Sequence, residues 1–178
     1  MLARWREVFA GPMAGDPATH VIATHLHPDH VGCADWLVHQ FDVDLWMTRE
    51  EYMLCRVLIS DTGREAPEEG VRFYKAAGFS EDQLANYRAN FGMFGKFVKS
   101  MPDAYKRMVD GEHLSFAGHD WEVIVGRGHS PEHACLYDEE RNILISGDQI
   151  LPTISPNVSV WPTEPLANLL QDWFVSLE

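Results

Sequence analysis

The sequence predicts a mixed α/β (α+β) domain in which sheet and helices pack together. Strand-like apolar runs stand near both ends of the chain, segments with helical spacing lie between them, and turn residues separate the two kinds of segment. With 178 residues the chain is long enough for one sizeable core and too short for two of ordinary size. Residues 1–178 are therefore predicted to form a single domain.

The N-terminal part of the chain alternates helical and strand-like patterns. Leu2, Trp5 and Phe9 share one face of an expected helix over residues 2–13. The next three segments predict a buried strand, a helix and a second strand, and they read THVIAT, HVGCADWLVHQF and VDLWMT. The expected order is thus β-α-β, preceded by one helix.

Residues 49–110 are predicted to form a helical insertion within this domain. Their segments have helical spacing, and Ser80 offers a cap followed by an acidic first turn. The prediction includes the last segment, PDAYKRMVDG, which begins at Pro102. The block is rich in Met and aromatic residues, which indicates a small satellite core; the same residues would also suit the underside of a lid over a substrate pocket.

The last third of the chain returns to strand patterns. Two alternating segments, HLSFAGHDWEVIVGRG and HACLYDEERNILISGD, each predict a β-hairpin. A Pro-rich loop follows, and LANLLQDWFVSLE predicts a closing helix. The chain as a whole is expected to contain a sheet with helices packed on it.

The charge of the chain limits its partners. The formal net charge is −13, and its few Lys and Arg residues form no basic patch, so nucleic acid and anionic membranes are disfavoured and a small-molecule substrate is expected. No apolar run is long enough to span a bilayer. The three cysteines are far apart and form no CxxC pair, which together with the lack of a signal-peptide pattern predicts reduced thiols in the cytoplasm.

The densest chemical signal is the segment HLHPDH, which follows the first predicted strand. In extended backbone, His25 and His27 point the same way, and Pro28 then lets the chain turn into a helix. Asp29 and His30 would start that helix and point back toward the strand end. Imidazoles with a carboxylate suit zinc or a similar divalent ion, and four such groups serve two neighbouring ions better than one.

Two later segments extend this pattern. GRGHSPEHACLY places His129 in a loop between strands, and LISGDQI places Asp148 directly after a strand. With these pieces in this order, the sequence resembles the metallo-β-lactamase superfamily of metallohydrolases, and the GHSPEH segment resembles the glyoxalase II-like branch most. The resemblance runs from about residue 19 to the C-terminus and excludes the helical block.

The resemblance implies a role for each matching residue. His25, His27 and His129 would bind one metal ion, Asp29 and His30 a second, and Asp148 would bridge both. One or two zinc ions are expected, with iron or manganese as alternatives. A water or hydroxide held between the ions would hydrolyse an ester, thioester, lactone or amide, with Asp29 as the group that takes a proton from the attacking water. His133 is a candidate substrate contact in the same pocket, and a polar core or surface role is equally compatible with its position.

The sequence also departs from the family. The resemblance implies further strands before His25 and a final histidine after a later strand, and this sequence contains neither. We therefore expect a partial αββα sandwich with a helical insertion, a weaker second metal site, and open sheet edges that a homo-oligomer would cover. The alternative is a non-catalytic metal-binding or assembly domain of the same fold.

Overall fold

The computed structural model describes residues 1–178, and its first sheet carries the N-terminal strands. The three strands are all parallel and lie in the order β1-β2-β3, with Val21 beside Leu45 and Trp46 beside Lys106. Their bounds are Val21–Ile22 for β1, Leu45–Met47 for β2 and Lys106–Arg107 for β3. The predicted β-α-β order is present, although β1 is shorter than the apolar run suggests.

The second sheet consists of the two predicted hairpins. Its four antiparallel strands have the order β4-β5-β6-β7. The β4–β5 turn is Ala117-Gly118, in which both residues have positive φ, as a two-residue hairpin turn with the twist of its strands requires. The strands are His113–Phe116 (β4), His119–Gly126 (β5), His133–Asp138 (β6) and Ile143–Ile145 (β7).

Eight helices surround the sheets. Ser80 and Gln83 form a reciprocal capping box at the start of one of them, as the sequence predicts. None of the eight has both the length and the apolar character needed to cross a bilayer. The helices are Leu2–Ala10 (α1), Pro28–Val31 (α2), Ala34–Phe41 (α3), Arg49–Ser60 (α4), Glu68–Ala76 (α5), Glu81–Asn90 (α6), Phe94–Phe97 (α7) and Leu169–Val175 (α8).

The helical prediction for residues 102–111 is wrong. The helices of the insertion end at Phe97, and the chain then returns to the first sheet as β3. Lys106 forms an ion pair with Asp44 at 2.9 Å and lies over the ring of Trp46, while Met108 is buried. Pairing with a distant strand therefore overrides local helical spacing here, and the outer bounds of the insertion stay a prediction.

The layers explain how the ligand loops come together. Buried residues of helices α3 and α4 share one core with the first sheet, and the other face of that sheet presents Ile22 and Trp46 to the core of the second sheet. The Ala134 amide donates to the Thr24 carbonyl at 2.8 Å, which joins the end of β1 to the start of β6. A mixed α/β architecture is confirmed, and the two sheets meet where the predicted metal ligands lie.

Candidate metal centre

His25 and His27 converge in the structure, as their spacing predicts. The His25 side chain is fully buried directly after β1, and its Nε2 lies 2.9 Å from Nδ1 of His27. His27 has extended backbone, with φ −60° and ψ 144°, and it is the N-cap of α2, which has Pro28 in its first turn. The proline thus ends the extended segment and starts the helix that carries Asp29 and His30.

His129 reaches the same point from the other sheet. It lies in the loop between β5 and β6, and its Nε2 is 3.3 Å from Nε2 of His25. Its Nδ1 lies 2.9 Å from the carbonyl oxygen of Asn157, an acceptor only, so Nδ1 carries the proton and donates. This hydrogen bond leaves the Nε2 lone pair free and directs it at the cluster.

Asp148 lies between the two groups of ligands. One of its oxygens, Oδ2, is 3.7 Å from Nε2 of His129, and the other, Oδ1, is 3.2 Å from Nε2 of His30. Asp29 Oδ2 lies 3.6 Å from the same His30 nitrogen. The structure therefore brings all six candidate ligands together in two sets that share Asp148. The first set consists of His25, His27, His129 and Asp148. The second set consists of Asp29, His30 and Asp148.

The donor set fits a divalent metal. The ligand atoms of each set lie within 4.8 Å of one another. Around a tetrahedral zinc ion with bonds of about 2.0–2.1 Å, neighbouring ligand atoms are separated by about 3.3 Å. The separations of 2.9, 3.3 and 3.7 Å in the first set are close to that value. Three imidazoles and a carboxylate are also the ligand types that zinc prefers.

The electrostatics keep the histidines ready to bind metal. Burial is the largest effect on His25, and the neighbouring histidines add to it, so the pKa of His25 falls far below its usual 6.5. Burial and His129 likewise lower the pKa of His27, against the opposing effect of Asp29 and Asp148. Both imidazoles are therefore neutral at pH 7, which is the form that coordinates a metal.

His133 lies in the interior of the protein beside the ligand cluster. Its side chain is fully buried, its ring stacks on His25 with 4.6 Å between ring centroids, and its Nε2 accepts a hydrogen bond from the Asp148 amide at 3.0 Å. The position supports a role in holding the Asp148 loop, and contact with substrate stays an untested prediction.

Sequence reasoning missed Glu51, a buried acid beside the ligand loops. Its carboxylate accepts hydrogen bonds from the amides of Leu26 and Glu132, both at 2.9 Å. The signal in the sequence was its spacing, because Glu51 lies four residues before Cys55 and seven before Leu58, on the apolar face of α4. An acid in the first turn of a helix is ordinary, but an acid on the buried face of that turn is not.

A cavity opens beside the cluster. It has a volume of roughly 610 Å³, and His129 and Asp148 line one side of it. Trp173 of α8 also lines the cavity and donates its indole N–H to the Gln149 carbonyl at 3.2 Å. Apolar side chains form much of the remaining wall, and they are Leu151, Ile154, Pro156, Val158 and Leu170.

The metal-free protein is expected to lose stability as the pH falls below about 6.5. Burial, followed by His129 and the other histidines, lowers the pKa of His133 from 6.5 to about 3. Between those values the unfolded chain binds a proton that the folded chain does not, so acid favours unfolding, by up to about 1.4 kcal/mol per pH unit for one such group. Urea unfolding with chelator present, from about pH 7.5 to about pH 5.5, measures this slope. A free energy of unfolding that stays constant over this range would contradict the prediction.

Two curated hydrolases are similar to this chain. It is 27% identical over 128 residues to the hydroxyacylglutathione hydrolase GloC of Haemophilus influenzae, an alignment that covers 72% of this chain and 48% of that protein. It is 26% identical over 129 residues to the acyl-coenzyme A thioesterase MBLAC2 of Homo sapiens, covering 72% of this chain and 40% of that protein. The chain spans less than half the length of these relatives.

A solved structure and a family profile extend the similarity to nearly the whole chain. A beta-lactamase domain protein from Burkholderia ambifaria superposes with a TM-score of 0.82 at 34% identity, covering 98% of this chain and 50% of that one. The profile of the metallo-beta-lactamase superfamily matches residues 12–178. These matches confirm the resemblance inferred from the sequence motifs, and the chain belongs to the metallo-β-lactamase superfamily.

Proposed function

We propose that this protein is a metal-dependent hydrolase of activated acyl groups, with thioesters and lactones preferred over amides. The position of Asp148 carries the proposal, because its two oxygens face two separate ligand sets. A purely structural zinc site needs four ligands around one ion and no carboxylate shared with a second set. The shared carboxylate supports two adjacent ions, which is an arrangement used for hydrolysis.

The residues of the chain divide into two ligand sets. His25, His27 and His129 would hold one zinc ion, Asp29 and His30 the other, and Asp148 both. When bound, the ions supply positive charge that acidifies water and polarises a substrate carbonyl. The chain's own part is to keep the imidazoles neutral and to hold the two sets at a fixed separation.

Asp29 is suited to proton transfer. Its side chain is 74% exposed, so it lies at the solvent side of the cluster, where water enters. A carboxylate in that position can accept a proton from the attacking water and release it to solvent. We propose that Asp29 serves both as a ligand of the second site and as this proton acceptor.

The cavity supports an acyl substrate. Leu151, Ile154 and Leu170 line the same cavity as His129 and Asp148, and this apolar lining suits a hydrocarbon portion placed beside the reacting carbonyl. The names of both curated relatives describe hydrolysis of an acyl group carried by a thiol compound, glutathione in one and coenzyme A in the other. These two observations favour a thioester within the broader acyl class.

The remaining expectations also stand as proposals. Zinc is favoured over iron or manganese by the three imidazoles of the first set. The outer strands β4 and β7 of the second sheet each pair with one neighbour only, the residues of β7 are exposed, and a second copy is a proposed cover for these edges. The three free cysteines support a cytoplasmic location.

A substrate panel tests the proposed function. The purified protein is stripped with chelator, reloaded with zinc, and assayed on an acyl-coenzyme A, an acylglutathione, an aryl ester, a lactone and a cephalosporin. We expect zinc-dependent turnover that is fastest on a thioester, loss of at least about tenfold in the chelated protein, and recovery on reloading. Tight zinc binding without turnover of any member of the panel would instead favour the non-catalytic metal-binding domain.

A further inference from the structure

The side chain of Glu51 makes contacts with both ligand loops. Its Oε2 accepts from the amide of Leu26, which lies between His25 and His27 in the first loop. Its Oε1 accepts from the amide of Glu132, three residues after His129 in the second. One carboxylate thus spans the two backbone segments that carry the imidazoles of the first metal set.

This carboxylate is costly to bury. Glu51 is fully buried and forms no ion pair with Lys or Arg, so its charge is compensated only by hydrogen bonds. Burial raises its pKa, and the Ser130 side chain together with the Glu132 and Leu26 amides opposes that rise. An apolar side chain would fill the same space without this cost but would leave two buried amides unpaired.

Only a carboxylate satisfies both amides. Each of the two loops offers an N–H donor, so the side chain between them must present two acceptors. Glutamine of the same shape presents one acceptor and one NH2 donor, and that donor would face an amide N–H. The arrangement at Glu51 is therefore specific to the carboxylate and not merely to the volume of the side chain.

The start of α4 strengthens the same connection. Thr48 donates its hydroxyl hydrogen to the Glu132 carbonyl at 2.7 Å, and the Glu50 amide donates to the Glu132 carboxylate at 2.8 Å. With the two bonds of Glu51, four hydrogen bonds tie the first turn of α4 to the ligand loops. The helical insertion is therefore anchored to the metal centre at its first residues.

We infer that Glu51 is a positioning residue that sets the separation between the His25–His27 loop and the His129 loop, and thereby the metal affinity of the first site. This inference rests on the proposed function only in requiring that these histidines bind a metal. It makes Glu51 neither a ligand nor a catalytic residue, because its carboxylate lies outside both ligand sets and accepts from the backbone amides of the two loops.

The test compares Glu51→Gln with Glu50→Gln. The control removes a neighbouring exposed acid whose side chain makes no hydrogen bond, while its backbone bond to Glu132 is kept. We expect Glu51→Gln to bind zinc about 10–100-fold more weakly than the parent, and Glu50→Gln to match the parent within about twofold. Cobalt replacing zinc gives a second readout, because its visible spectrum reports ligand geometry and should change only in Glu51→Gln.

The outcomes separate the possible failures. Equal zinc affinity and an unchanged cobalt spectrum in Glu51→Gln would overturn the inference, even if the metal-free variant were less stable. If Glu51→Gln does not fold, Thr48→Val removes one bond of the same network and should weaken zinc binding by a smaller factor; unchanged affinity in that variant would also overturn it. A parent that binds zinc but hydrolyses nothing would refute the proposed function while leaving the affinity comparison intact, and a parent that binds no zinc would refute both.

Discussion

Replacing Asp148 with alanine is expected to lower metal-dependent hydrolysis at least about a hundredfold, the upper end of the loss seen for residues that only support a ligand. The two oxygens of this side chain lie 3.2 Å from Nε2 of His30 and 3.7 Å from Nε2 of His129, so the substitution removes a ligand atom from both sets at once. The second set would then contain only Asp29 and His30. Zinc bound per chain is therefore expected to fall together with the rate.

The matched control for Asp148→Ala is Asp16→Ala, which removes an exposed acid outside both ligand sets. Elemental analysis after dialysis measures the zinc content, and the rate on the best substrate of the panel measures activity. Circular dichroism of the metal-free proteins checks that both variants fold. An Asp148→Ala protein with parental zinc content and parental rate would show that the carboxylate is not shared between two ions.

The ligands were predictable because their signals are local. The alternation of His25 and His27, the turn forced by Pro28 and the position of Asp148 after a strand each constrain the backbone within a few residues. The expected convergence of His129 on the same point needed the family resemblance, because 104 residues separate it from His25. Local patterns thus identify the ligands, and knowledge of the fold is what assembles them.

The errors and omissions have a different physical origin. Residues 102–111 have helical spacing, but β2 offers them a strand to pair with, and that partner is invisible in the local sequence. Glu51 was overlooked because its two partners lie 25 and 81 residues away along the chain. The sequence left His133 open between a substrate contact and a polar core or surface position, because its burial depends on packing against His25 and the Asp148 loop.

Gly147→Ala is expected to weaken zinc binding about 10–100-fold, although the residue is not a ligand. Gly147 has φ +49°, and an added Cβ would lie 2.5 Å from Cε1 of His133 and 2.9 Å from Oγ1 of Thr24. Both neighbours matter to the cluster, because His133 accepts from the Asp148 amide and the Thr24 hydroxyl lies 3.1 Å from Nδ1 of His25. The methyl group must therefore displace the Asp148 loop or the rings packed on it.

The control for this prediction is Gly111→Ala, at φ +75° with no atom within 4 Å of the added Cβ. It carries the backbone cost of alanine at positive φ, about 1–2 kcal/mol, without the collision. Calorimetric titration of both variants with zinc, after matching their folded fractions by thermal unfolding, separates strain from displacement. We expect weakened zinc binding in Gly147→Ala alone. Equal zinc affinities in the two variants would contradict the prediction. They would mean that the His133 ring and the Asp148 loop move apart without disturbing the ligands, so close packing would not be what holds Asp148 in place.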